Sequence, residues 1–114
     1  MKGVTTMNTE INNYLDSIQD DYKNFVTRAG ILNDSGQTDR IKEFNDNLTI
    51  SFGQKYIKVM NKSSVHSFIV NTDKDVKFQK GDVLMAASWK APARNFARGN
   101  LFTPASIKAR WMGV

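Results

Sequence analysis

The segment Ala86-Ala87-Ser88-Trp89-Lys90-Ala91-Pro92-Ala93-Arg94-Asn95-Phe96-Ala97-Arg98-Gly99-Asn100 concentrates the side chains from which an anion site is built. Arginine forks match phosphate oxygens in bidentate fashion, so Arg94 and Arg98, with Lys90 beside them, are candidates to hold a pyrophosphate. Trp89 offers a flat ring on which a base stacks for about 1–3 kcal/mol. Phe96 offers a second apolar surface. Asn95 and Asn100 supply the paired donor and acceptor that contact a base edge or a ribose. Pro92 suits a first helical position. Arg94 and Arg98 are four apart and would leave one face of a short helical turn, which Gly99 ends with a positive φ. The same residues also suit a structural corner, with Trp89 in the core and the arginines paired to the acidic front half of the chain.

Three further groups join the candidate set. His66 and Phe68 alternate in Val65-His66-Ser67-Phe68, so a strand there places both on one face, an aromatic platform if that face looks outward. Arg28, at the end of the first helix, and Arg110, on the last expected strand, are placed to reach the site from a neighbouring subunit. A lone strand histidine more often makes a structural hydrogen bond than it catalyses.

Catalysis has little to work with. The chain has no cysteine and one histidine, which excludes thiolate nucleophiles, disulfides and His-rich metal sites. Asp73, Asp75 and Asp82 are the only carboxylates after residue 50, and all fall in turns. No P-loop, GxGxxG, RNP1 or KH signature is present. The expectation is a non-enzymatic binding protein without cofactor or metal.

The elements that position these residues follow from periodicity. Ile11, Tyr14, Leu15, Ile18, Tyr22, Phe25, Val26 and Ala29 step by three and four, predicting a helix over 9–29 capped by Thr9 and ended by Gly30. Its stripe of large side chains suits either its own sheet or a second subunit. Asn33-Asp34-Ser35-Gly36 predicts a turn, followed by a short helix over 37–46 capped by Ser35 or Thr38. From residue 48 the period becomes two, predicting strands up to Phe52, over 55–60, 65–70 and 83–85, and a fifth formed by Ile107, Ala109 and Trp111. Helices followed by hairpin-linked strands predict an α+β fold, with N-terminal helices packed on, or dimerising beside, an antiparallel sheet of four or five strands. Residues 1–8 are expected to be disordered and 9–114 to form one domain, helical over 9–46 and sheet over 48–114.

Charge separates the two parts. Residues 1–50 hold five Lys/Arg and eight Asp/Glu, a net −3, whereas residues 51–114 hold eleven and three, a net +8. A basic back half points to an anionic partner, or to front-to-back pairing between subunits. No apolar run approaches the roughly 18 residues of a membrane span, and the start lacks a signal-peptide core, so a cytoplasmic location is the default.

The runs Ser64-Val65-His66-Ser67-Phe68, Lys80-Gly81-Asp82-Val83-Leu84, Ala87-Ser88-Trp89-Lys90-Ala91-Pro92-Ala93-Arg94 and Ala97-Arg98-Gly99-Asn100 resemble a family of small bacteriophage proteins over roughly residues 55–100. The helix-first layout is similar to that of phage Thoeris anti-defence proteins. Those are nucleotide sponges that sequester the cyclic ADP-ribose-type signal of bacterial TIR immune proteins without degrading it, and they hold ligand at subunit interfaces. The resemblance implies a phage protein in the host cytoplasm, homo-oligomeric, binding a small anionic nucleotide or cyclic oligonucleotide. It carries over no site residues. The alternative function is a basic nucleic-acid-binding accessory protein.

Overall fold

A computed structural model describes residues 8–29 and 34–114. Helices α1 (Asn8–Ala29) and α2 (Asp34–Asn47) precede strands β1 (Leu48–Phe52), β2 (Tyr56–Asn61), β3 (Ser64–Val70) and β4 (Val83–Met85). The strands form one antiparallel sheet in the order β1-β2-β3-β4. This is the α+β arrangement expected, with N-terminal helices on a small antiparallel sheet. Among the described residues, no helix is long and apolar enough to cross a membrane.

The α1 stripe explains the first layer. Ile11, Tyr14, Ile18, Tyr22 and Val26 are buried and pack with Ile57, Val59, Ile69, Val83 and Leu101 in one core. Each fully buried large side chain contributes about 1.5–3 kcal/mol. The stripe is therefore absorbed within the chain. Phe25, 44% exposed, is the large residue it leaves over. The width of the stripe thus needs no second subunit to explain it.

Helix boundaries differ from those expected. α1 begins at Asn8, so Thr9 lies inside the first turn and is not the cap. α2 begins at Asp34, so Asp34–Gly36 is helix and not turn, and Ser35 and Thr38 lie within it. It also runs through Asn45-Asp46-Asn47 directly into β1, with Lys42 paired to Asp46 one turn on. The expected disorder of the first residues, up to Met7, and the Gly30 end of α1 lie outside the described residues.

A bulge in β3 overturns one expectation. Val59 pairs with Ser67 and Met60 with Val65, leaving His66 as the extra residue. A bulge breaks the two-residue alternation locally. His66 therefore joins Ser67 on the helix side, its ring edge-on to Tyr14 of α1. Phe68 and Val70 enter a second cluster with Phe78 and Leu84 on the opposite face. His66 and Phe68 do not share a face, and at 5% and 2% exposure neither is a platform.

The segment after β4 is extended, and no helical turn forms in it. The chain reverses at 87–91 and returns along the edge of β4. Ala86 bridges Pro92 and Asp82 bridges Asn100. Between these points Ala93 N–H donates to the Met85 carbonyl at 2.7 Å and Arg98 N–H to that of Val83 at 2.6 Å. Gly99 has φ 135°, and a Cβ there would stand 2.7 Å from Ile107 Cγ1, so glycine is required. With this edge occupied, the expected fifth strand does not form. Ile107, Ala109 and Trp111 instead lay their apolar side on the helix-side core. The Trp111 N–H donates to Asp21 Oδ2 at 2.9 Å.

Candidate functional site

The structure disperses the residues that the sequence grouped. Arg94 is a brace. Its Nη1 and Nη2 donate to Asp75 Oδ2 and Oδ1 at 2.9 and 3.0 Å, Nη1 also donates to the Tyr56 hydroxyl, and the guanidinium lies 4.9 Å from the Phe78 ring centroid. The Asp75 side chain is 1% exposed and also accepts the Lys77 and Phe78 N–H groups. The Arg94 fork, then those two amides, hold its carboxyl well below the usual range. Asn100 is a second brace: its amide donates to the Lys80 carbonyl and Asp82 Oδ1 and its oxygen accepts Phe102 N–H. Asn95 accepts the N–H of Phe96 at 2.9 Å. Phe68 is core. Arg28 is exposed at the end of α1, its Nε 3.4 Å from the Asn24 carbonyl. Arg94 and Arg98 do not act from one face: Arg98 lies over Phe96, 4.1 Å from its centroid. Trp89 and Lys90 are exposed, and Arg98 is half-buried with its Nε inside.

His66 sits in a directed relay. Its Nε2 lies 2.5 Å from the Arg110 carbonyl, which only accepts, so Nε2 carries the proton and Nδ1 is the acceptor. Ser67 Oγ then donates to Nδ1 at 2.9 Å and accepts from the Tyr14 hydroxyl at 2.6 Å. Burial pushes the imidazole below its ordinary pKa and the Tyr14 phenol well above its own. A serine beside a histidine resembles a nucleophile and its base, but Ser67 is 0% exposed and no substrate reaches it. Arg110 enters this relay through its backbone. Its exposed side chain reaches outward.

A cavity of about 600 Å³ lies elsewhere, between both helices, the β2–β3 turn and the segment around Trp111. That size is ordinary for a small-molecule site. Its aromatic wall is ordered: Tyr22 and Phe44 stack with centroids 4.1 Å apart, and Trp111 meets Tyr22 edge-on at 5.2 Å. Arg40 and Lys62 line the same space. Arg40 has no carboxylate partner among the described residues, and Lys62 Nζ stands 3.6 Å from Glu43 Oε1. Asn61 donates to the Phe44 carbonyl, and the Lys62 N–H to the Asn47 carbonyl, fixing the hairpin tip on α2. Lys62 has φ 57°, where L-residues are strained. The geometry thus places an aromatic wall, two cations and two amides around one concavity.

Sequence reasoning missed this site. Its residues come from four distant segments, and each looked like core or turn. The one local signal was lysine, where glycine fits best, in the hairpin turn Asn61-Lys62-Ser63-Ser64. Among the described residues, no three His, Asp or Glu side chains gather closely enough to share a metal ion.

Comparison with known proteins adds no activity. No curated protein matches the chain. No solved structure matches it either. One family does match, over residues 3–113, nearly the whole chain. The chain therefore belongs to DUF7717, a family of unknown function.

Proposed function

We propose that the protein binds a small phosphorylated, nucleotide-like ligand and returns it unchanged. The observation that carries this reading is the cavity walled by Tyr22, Phe44 and Trp111 and lined by Arg40 and Lys62. A base packs against the aromatic wall. The Arg40 fork and the Lys62 ammonium meet phosphate oxygens. Asn47 and Asn61 contact base or ribose. The site moves from the 86–100 loop, where Arg94 and Asn100 are spent on braces, to this concavity.

The same geometry favours binding over turnover. Both ring nitrogens of His66 are engaged, and Glu43 faces Lys62. Among the described residues that line the cavity, no poised base remains to activate a water. Cations that meet phosphate in its ground state give affinity without rate. Charge-assisted hydrogen bonds of about 1.5–3 kcal/mol each, added to stacking, reach micromolar or tighter binding after association costs. The resemblance to phage nucleotide sponges supplies the context, in which the ligand is an immune signal of the cyclic ADP-ribose or cyclic oligonucleotide type.

The test is calorimetric titration with ADP-ribose, cyclic ADP-ribose and a cyclic dinucleotide, followed by heat release and chromatography of the bound fraction. At least one should bind stoichiometrically, emerge intact, and lose affinity in Arg40→Ala and Lys62→Ala. Absence of binding for all three, binding indifferent to both substitutions, or a cleaved product in excess of one equivalent overturns the proposal.

A further inference from the structure

A second concavity, of about 420 Å³, opens where the β1–β2 turn meets the loop after β3. Lys55 comes from the turn, Thr72, Lys74 and Asp75 from the loop, and Arg94 from the segment that returns along β4. None of its lining residues is shared with the aromatic-walled cavity. Its frame is tied together by the backbone. Asn71 N–H donates to the Lys55 carbonyl at 2.8 Å, and the Asn71 side-chain amide donates to the Gly53 carbonyl at 2.9 Å. Gly53 N–H closes the turn on the Tyr56 carbonyl at 2.9 Å. On the other side the Arg94 fork holds Asp75, and Lys77 Nζ donates to the Arg94 carbonyl. The walls are therefore set before anything binds.

The lining offers donors and few acceptors. Asp75 is its one carboxylate, and both oxygens are occupied: Oδ1 by the Lys77 and Phe78 N–H groups and Arg94 Nη2, Oδ2 by Arg94 Nη1. Arg94 uses three of its five N–H groups on Asp75 and Tyr56, which leaves the Nε–H and one Nη2–H. Lys55 and Lys74 are exposed and make no ion pair among the described residues. Thr72 Oγ1 accepts the Lys74 N–H at 3.1 Å, so its own proton remains to be donated. Three cations against one carboxylate leave a surplus of two positive charges around the concavity. Asp73 is exposed and outside the lining. A compact oxyanion of matching charge is a phosphate monoester, which carries about −1.5 to −2 at neutral pH and three terminal acceptor oxygens. A phosphodiester brings one charge and two such oxygens. Fully exposed Val76, also in the lining, offers apolar contact to the carbon skeleton that carries the phosphate.

We propose that this concavity is a second anion site that takes the phosphoryl group of a phosphate monoester, held by the Lys55 and Lys74 ammonium groups, the Thr72 hydroxyl and the free edge of Arg94. ADP-ribose and the cyclic nucleotides suited to the aromatic-walled cavity carry no monoester, so the two sites differ in chemistry.

The test is a titration followed by amide NMR of the full chain. The probes are inorganic phosphate, phosphoserine and ribose 5-phosphate, with serine and dimethyl phosphate as controls. The amides of residues 72–76 should shift saturably with the three phosphate dianions, with Kd of about 1 mM or tighter, which a few charge-assisted hydrogen bonds support after association costs. The controls should produce no saturable shift. Lys55→Ala and Lys74→Ala should each weaken binding about tenfold or more. Both side chains are exposed, so the melting temperature should stay unchanged. Arg40→Ala and Lys62→Ala, in the other cavity, should leave these shifts as they are. Tighter binding of ribose 5-phosphate than of phosphoserine assigns the site to small metabolites, and the reverse order to phosphorylated side chains. No saturable shift at 72–76 overturns the proposal. So does equal binding of dimethyl phosphate, indifference to both lysine substitutions, or loss of the shifts in Arg40→Ala. Failure of nucleotide titration in the aromatic-walled cavity leaves this result untouched, so the two readings fall separately.

Discussion

Acidification should destabilise the protein through one residue. In the unfolded chain His66 titrates near its ordinary value of about 6.5. In the fold, burial lowers its pKa by disfavouring the charged imidazolium, and the hydrogen bond to the Arg110 carbonyl offsets this only in part. The unfolded state therefore binds more protons than the folded state below about pH 6.5, and stability falls as pH falls toward the depressed folded value. The slope approaches about 1.4 kcal/mol per pH unit where only the unfolded form is protonated. That corresponds to roughly 3–6 °C of melting temperature per unit at this chain length. His66 is the only histidine, so between about pH 5.5 and 7.5 no other side chain has its ordinary pKa in the window. Urea unfolding at steps across that range measures the slope, and His66→Gln should flatten it whatever its own offset in stability. A wild-type slope equal to that of His66→Gln, or an imidazole that titrates at or above 6.5 by NMR, would refute the reasoning.

Other outcomes follow from the same contacts. Tyr14→Phe removes the donor to Ser67 and should cost about 1–2 kcal/mol in urea unfolding, with nucleotide affinity retained. Arg94→Glu should lower the melting temperature clearly, since it sets a carboxylate against buried Asp75, and Asp75→Asn should lower it too; an unchanged value would free Arg94 for ligand. Lys62→Gly relieves a left-handed lysine worth about 1–2 kcal/mol at an entropic cost of about 0.5–1 kcal/mol and the loss of one exposed ion pair. Its stability by urea unfolding should stay within about 1 kcal/mol of wild type, while calorimetry shows nucleotide binding weakened about tenfold or more.

The fold was largely legible because periodicity reports burial. The steps of three and four from Ile11 to Val26 and the alternation from Leu48 onward both survive in the structure. What failed were features decided by long-range competition. The alternation at Ile107, Ala109 and Trp111 is real, yet the sheet edge it would have joined is occupied by residues 92–100, so it packs against helices. The β3 bulge that turns His66 toward Tyr14 depends on pairing with β2, which no local pattern in Val65-His66-Ser67-Phe68 discloses. Arg94 looked like a phosphate ligand because a guanidinium fork fits any planar oxyanion, and the sequence does not say that Asp75 gets there first. Trp89, which the sequence left between core and surface, is exposed at the tip of the 87–91 reversal, whereas Arg98 is half-buried against Phe96.

The hydrogen bond from Trp111 to Asp21 spans most of the chain, and with it the cavity wall is assembled from α1, α2, the β2–β3 hairpin and the residues beyond the sheet. No fragment can hold that wall, so no partly folded form retains the site. A ligand in it binds the native state alone and raises stability by RT ln(1 + [L]/Kd), about 2.7 kcal/mol at a hundredfold excess over Kd. Occupancy would then register as slower hydrogen exchange in any amide of β2 and β3 that exchanges only through global opening, far from the ligand itself.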